Sequence, residues 1–358
     1  MIQRGIIGID LGDAHPAVWR IGEVPALDAA AVVREVLDAE SAGFHFATLP
    51  DAARAPLAAP RADAVQRAAL AAPHTRTIAL VPEVDAVASE PFHVSTQLAS
   101  LDYISYGRAG WLVAADGSAP RLAALGRGPL GADDALDEAS DAVEAARRLW
   151  DTWEDTAEIR DVATGRYLDA DRVHYADFRG RSFSVKGPSI IPRPPQGQLP
   201  VLAPYGLVPA GQADVLLVSA PAGDLLVAEA AAAREAYPEH IVLAELDVVL
   251  DARGRSGADR LAELDALSAW ELPHALFAGG PRELADYLGE LLGVAHGVRV
   301  HPAVLGVELP ELAQLVLPEL RRRGRLAPVN ADAPFRHVLG LRRPPPSRYS
   351  TTRAGGIR

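Results

Sequence analysis

Residues 90–111 read EPFHVSTQLASLDYISYGRAGW, from Glu90 to Trp111. Phe92, Leu98, Leu101 and Ile104 recur at helical spacing, so the stretch predicts an amphipathic helix. Ser105-Tyr106-Gly107 breaks it, and Trp111–Ala115 begins an apolar run of strand length. A second such run, Thr77–Val81, lies just upstream. The stretch is therefore a helical crossover between two strands.

The same alternation continues in both directions. Expected strands are Gly5–Leu11, Phe44–Leu49, Thr77–Val81, Trp111–Ala115, Val201–Ala203, Val215–Ser219, Ile241–Leu250 and Val298–His301. Helical patterns fall between most of them: Ala26–Ser41, Ala62–Ala72, Phe92–Ser105, Asp133–Trp153, Leu225–Ala236, Asp259–Trp270 and Pro281–Leu292. Another, Leu309–Arg323, follows the eighth strand. Eight strands with helical crossovers define an α/β protein and favour a (β/α)8 TIM barrel over a doubly wound sheet. Asp155–Leu199, polar and rich in Gly, Pro and Arg, is a long excursion between strands 4 and 5, with a small hairpin expected near Arg181–Val185. Residues 1–330 thus form the barrel, with its excursion at 155–199, and residues 331–358 form a C-terminal extension whose last dozen residues are expected to be mobile.

Composition narrows the function. The 358 residues carry 35 basic and 47 acidic side chains, a formal charge of −12. An acidic surface argues against nucleic acid as a partner. There is no cysteine, which excludes disulfides, thiolate catalysis and Cys-ligated zinc. No apolar run approaches the roughly 20 residues of a membrane span, and the N-terminal residues lack a signal-peptide core. A cytoplasmic protein without membrane contact is expected.

Local motifs point to little. Gly126 to Gly131 has G-x-G-x-x-G spacing, but no strand precedes it and the acid-bearing second strand is missing, so it reads as a plain loop. The ten histidines fall at no recognisable metal-ligand spacing, and no metal is expected. No G-x-S-x-G elbow is present. In a barrel the C-terminal strand ends carry function. Here they offer Asp10, Asp13 and His15, then Asp51, Glu83 and Asp85, then Asp116, Asp251, Arg253 and His301. This rim is acidic and suits a neutral or cationic ligand.

The 90–111 stretch resembles the segment between strands three and four of the bacterial-luciferase-like flavin monooxygenases, in the branch of the nitrilotriacetate, pristinamycin and dibenzothiophene-sulfone enzymes. The resemblance rests on Glu90, Pro91, Phe92, Ala99, Ser100, Leu101, Asp102, Ser105, Gly107, Arg108, Gly110 and Trp111. Further blocks agree in order: Asp10-Leu11-Gly12 to Trp19, Arg147–Trp153, Thr164–Tyr167, Pro192–Gly197 and Phe335–Leu341. The resemblance implies a (β/α)8 barrel and oxygen insertion into a small-molecule substrate by reduced FMN from a separate flavin reductase. It implies His15 and Trp19 as catalytic residues beside the reactive edge, with Phe46 helping to shape the pocket. Asp51, Asp85 and Asp116 are the cofactor-binding candidates.

Other positions depart from the family pattern. Ala86 and Val87 stand near a threonine, Leu112 near an asparagine, and Ala132 and Leu136 near a histidine and a tyrosine. After Pro200, where the family has a Gly/Ser-rich loop and a phosphate-binding helix, this chain is shorter and carries Pro204 and Pro209, so the helix is expected to be truncated or absent. Arg121, Arg127, Arg253 and Arg255 are candidate replacements for phosphate contacts. The alternatives are a flavin-less partner subunit or binding protein, and an F420-dependent oxidoreductase. A homodimer or a full-motif paralogue is the expected protein partner.

Overall fold

Apolar runs with a two-residue alternation become eight parallel strands that close on themselves. The structure, a computed structural model, describes residues 4–18, 28–51, 62–272 and 274–350. The barrel strands are β1 (Ile6–Asp10), β2 (Phe46–Leu49), β3 (Ala79–Asp85), β4 (Trp111–Ala114), β9 (Val201–Pro204), β10 (Val215–Val218), β11 (Ile241–Leu250) and β13 (Gly297–Pro302). Each pairs in parallel with its neighbours, and β10–β11, β11–β13 and β13–β1 pairings close the ring. The (β/α)8 barrel expected from the sequence is the observed fold, and all eight expected strands are present.

A ninth strand, β12 (Ala275–Gly279), was not expected. It pairs with Leu246–Leu250 of β11, whereas β10 reaches only Ile241–Ala244. Its run is short and leads straight into Gly280-Pro281, which reads as a helix start. The excursion holds two hairpins. The expected one is formed by β7 (Phe178–Arg179) and β8 (Ser184–Val185), and the other by β5 (Glu158–Asp161) and β6 (Arg166–Leu168).

Strand parity sets what fills the barrel. Ile6, Phe46, Val81, Leu112, Leu202, Leu217 and Leu243 point inward and pack together in its lower part. Gly8 leaves room for the Phe46 ring, since a Cβ there would lie 2.1 Å from it. Phe335 and Leu339 close this cluster from below. Outward residues such as Ile7, Leu80, Val113, Leu216 and Leu246 pack with the surrounding helices. The stretch beyond 330 is therefore built into the barrel floor. Of the end expected to be mobile, residues 347–350 are described: buried Ser347 donates to the Asp151 carbonyl at 2.5 Å. Residues 351–358 and Trp19 lie outside the described residues.

The quoted stretch folds as its residues dictate. Glu90 accepts from the Phe92 and His93 N–H groups, and Pro91 occupies the first turn of the Pro91–Ile104 helix. Tyr106 (φ 55°) and Gly107 (φ 83°) turn the chain at its end. Arg108 is then buried, and its guanidinium donates to Thr75 Oγ1 and to the carbonyls of Ala72, Thr75 and Ile78. Asp102 accepts from the Gln196 backbone and side-chain N–H groups at 3.0 and 2.7 Å, tying the helix to the end of the excursion. The helix thus starts beside the exit of β3 and runs down to the N-terminal face, where its end, Arg108 and the Asp102–Gln196 tie lie opposite the face where function is expected. Among the described residues no helix is long and apolar enough to cross a membrane.

Candidate active site at the barrel mouth

Three successive strand exits meet at one guanidinium. Asp85 ends β3, and its Oδ1 accepts from the N–H groups of Val87 (2.8 Å), Ala88 (3.1 Å) and Asp116 (3.4 Å), which folds the loop over the strand end. Its Oδ2 faces Arg121 Nε at 3.5 Å. Arg121 comes from the short Ala119–Ala123 helix, and its Nη2 donates to Asp51 Oδ2 at 3.0 Å. Asp51 and Asp85 therefore share Arg121. Asp116 joins them through its backbone, while its exposed carboxylate accepts from the Ser118 N–H. Hydrogen bonds from Ser118 hold that carboxyl below the usual range.

His15 stands apart from this group. Its ring is fully buried, and Nδ1 accepts from Ala17 N–H at 3.1 Å. That fixes the proton on Nε2, which faces Asp265 Oδ1 at 3.2 Å. Trp270 packs on the ring at a centroid distance of 4.8 Å. Both ring nitrogens are engaged within the protein. Phe46 corrects the expected pocket wall: it is fully buried low in the barrel, 5.8 Å from the Phe335 ring, because it begins β2 rather than ending it.

A second polar group lies inside the barrel; Asp10 and His301 were among the strand-end candidates, while Glu245, Asp247, His274 and Arg299 escaped the sequence reading. Glu245 and Asp247 of β11, Arg299 and His301 of β13, and Asp10 of β1 all point inward, joined by His274 just before β12. Arg299 Nη2 is 3.5 Å from Asp10 Oδ2, and its Nη1 is 3.3 Å from Glu245 Oε1. His301 Nε2 is 3.2 Å from Glu245 Oε1, and His274 Nδ1 is 3.2 Å from Asp247 Oδ1. Thr48 donates to Asp10 at 2.9 Å. Burial pushes the Glu245 carboxyl up, but Arg299, His301 and His274 outweigh it and hold the group well below the usual carboxylate range. Burial, and then Arg299, keep His301 below its ordinary range and so neutral. The available signal was Glu-x-Asp in one strand and Arg-x-His in another. A two-residue period inside apolar strands puts both members of each pair on one face.

The exit of β9 bears directly on a flavin phosphate. After Pro204 the chain forms only a three-residue 3₁₀ turn, Ala210–Gln212, before β10. The helix expected to be truncated or absent is reduced to that turn. Backbone N–H groups here are used internally: Tyr205 donates to Leu217 O, Leu207 to Pro204 O, and Gln212 to Pro209 O. The replacement arginines are engaged as well. Arg127 donates to Val87 O and Glu138, and Arg255 pairs with Glu263. Arg121 is shared by two acids, and Arg253 is exposed at positive φ. The residues present do not fit a flavin phosphate at this place. Leu136, Tyr205, Val208, Leu216 and Tyr237 instead line a groove of about 470 Å³ along the flank.

A closed parallel barrel whose ionisable side chains gather toward the strand C-terminal ends has the architecture of an enzyme. The family model for luciferase-like monooxygenases matches residues 14–263, and the chain belongs to that family. It is 34% identical over 222 residues to a component of pristinamycin IIA synthase from Streptomyces pristinaespiralis, covering 62% of this chain and 72% of that one. It is 39% identical over 140 residues to N-acetyl-S-(2-succino)cysteine monooxygenase of Bacillus subtilis (strain 168), covering 39% of this chain and 32% of that one. A crystal structure of riboflavin lyase with modified FMN and riboflavin superposes with a TM-score of 0.78 at 22% identity, over 95% of this chain and 96% of that one. That last likeness concerns the fold.

Proposed function

We propose that this protein is a flavin-dependent monooxygenase acting on a small organic substrate at the barrel mouth, with reduced FMN supplied by a separate reductase. The observation that carries the reading is the family match over residues 14–263. The cofactor is held weakly, as a visiting cosubstrate. A helix N-terminus and its charge-assisted hydrogen bonds are missing, and at about 1.5–3 kcal/mol each the loss of two weakens FMN by roughly two to four orders of magnitude. In this reading Asp51, Arg121 and Asp85 form a partly neutralised, still anionic rim that meets a ring system rather than a phosphate, with Asp116 beside it. His15 acts from behind the wall, and Trp19 belongs to the same segment.

One observation favours a second reading. The missing helix after β9 suits a flavin-less partner subunit, and the pristinamycin relative is itself named as one subunit of a synthase. An F420-dependent oxidoreductase meets the same obstacle, since that cofactor is also anionic. Anaerobic titration of FMN, reduced FMN and F420, followed by fluorescence, decides among them. Saturable binding of reduced FMN in the high-micromolar range supports the first reading. No binding of any of the three at millimolar concentration sinks both cofactor readings and leaves the partner subunit.

A further inference from the structure

We propose that Glu245, His274 and His301 form a binding site for one divalent first-row transition-metal ion inside the upper barrel. The inference does not depend on the flavin reading. It uses residues on β11, β13 and the turn before β12, with β1 between them and the strand exits that carry the Asp51–Arg121–Asp85 rim.

The donor atoms already converge. One ligand atom from each residue lies within 4.8 Å of the other two. His301 Nε2 is 3.2 Å from Glu245 Oε1, and His274 Nε2 is 3.7 Å from Glu245 Oε2. Metal–ligand bonds of about 2.0–2.2 Å in a tetrahedral site put neighbouring donors roughly 3.3 Å apart, so the ion requires only small side-chain adjustments. The two imidazoles stack, with centroids 4.2 Å apart and planes at 21°, and both turn Nε2 to the same carboxylate. Two imidazoles and one carboxylate, with room for a further ligand, suit Zn²⁺ and its neighbours better than Mg²⁺ or Ca²⁺.

The surroundings support a cation. Asp247 Oδ1 sits on His274 Nδ1 at 3.2 Å, the outer carboxylate that orients a metal-binding imidazole and leaves Nε2 as the donor. Asp247 is fully buried, and its Oδ2 has no hydrogen-bond partner among the described residues. Asp10 and Glu245 are buried carboxylates that share one guanidinium, Arg299, and Asp247 is a third buried carboxylate, set beside His274. Such an excess of negative charge is costly away from water, and a dication offsets it. His274 keeps 13% of its side chain exposed, which gives the ion a way in.

The test uses the full chain, stripped with a chelator and titrated with Zn²⁺ by calorimetry and with Co²⁺ by visible absorption. One equivalent of Zn²⁺, a raised Tm and a cobalt ligand-field band are expected. His274→Gln, at a partly exposed position that leaves the fold intact, removes the band and weakens Zn²⁺ at least tenfold. Asp247→Asn weakens it by about 10- to 100-fold, and exposed His93→Gln leaves it unchanged. Absence of a band and of heat at 1 mM metal overturns the proposal. So does one-equivalent binding that survives unchanged in His274→Gln and in His301→Gln, since the ion would then sit elsewhere.

Discussion

The floor of the barrel and its upper interior both bury charge, and they do so in opposite ways. At the floor, Arg108 spends its terminal nitrogens on four acceptors, and Asp102 is matched by Gln196. Gln196 in turn accepts from Arg336 N–H at 2.9 Å and donates to Ala109 O at 2.8 Å. In the upper interior, Asp247 Oδ2 and Arg299 Nε lie buried without a hydrogen-bond partner among the described residues. Each such atom costs about 1–3 kcal/mol. The floor uses polar groups to hold the fold. The upper interior instead leaves Asp247 Oδ2 and Arg299 Nε unsatisfied, in the place where the metal site is proposed.

Substitution separates the two most sharply at Arg108. Arg108→Met leaves the buried carbonyls of Thr75 and Ile78 without their guanidinium donor, while Ala72 O keeps Thr75 Oγ1 at 3.2 Å. A loss of about 3–5 kcal/mol is expected from urea unfolding, and a loss under 1 kcal/mol would break the comparison.

Asp102 provides a pH version of the same test. Burial pushes its carboxyl up to about 6, against hydrogen bonds from Gln196 that lower it. The folded value is above the unfolded one, so its contribution to stability is complete below the ordinary aspartate range and is lost as pH rises through about 6. The loss is about 3 kcal/mol. Unfolding midpoints of the wild type should fall more between pH 4 and pH 7 than those of Asp102→Asn, which keeps an acceptor for Gln196. Parallel slopes would remove Asp102 from the argument.

The smallest effect is expected at the mouth. Asp51→Asn weakens one part-exposed pair and should change stability by less than about 1 kcal/mol. It also releases Arg121 from one of its two acids, so inorganic phosphate and FMN should bind several-fold more tightly in an equilibrium titration. Unchanged anion affinity would mean that Arg121 faces no ligand.

Much of this contrast is legible in the sequence, and the limits have physical causes. The eight strands show through alternation, and Asp102, Arg108, Gln196 and Phe335 fall in the blocks that resemble the family, although only closure of the barrel places Phe335 at its floor. The shortened chain after Pro200 also announces its missing helix. The upper interior is hidden, because Glu245, His274 and His301 meet only through barrel closure and register. Spacing rules register ligands within a helix or loop, not across three segments. His15 and Phe46 show the converse limit. A residue can follow or begin a strand at the expected place while its side chain faces packing rather than the mouth.

Phe335 and Leu339, which pack against the lower interior, also bear on how the molecule is made. They follow all eight strands in the chain, so during synthesis the apolar ends of Ile6, Phe46, Val81, Leu202 and Leu243 stay open to water until residues 335–339 emerge. A nascent barrel with its bottom uncovered is a sticky intermediate. Released chains truncated at residue 330 should therefore engage chaperones, and chains extended past residue 341 should let them go.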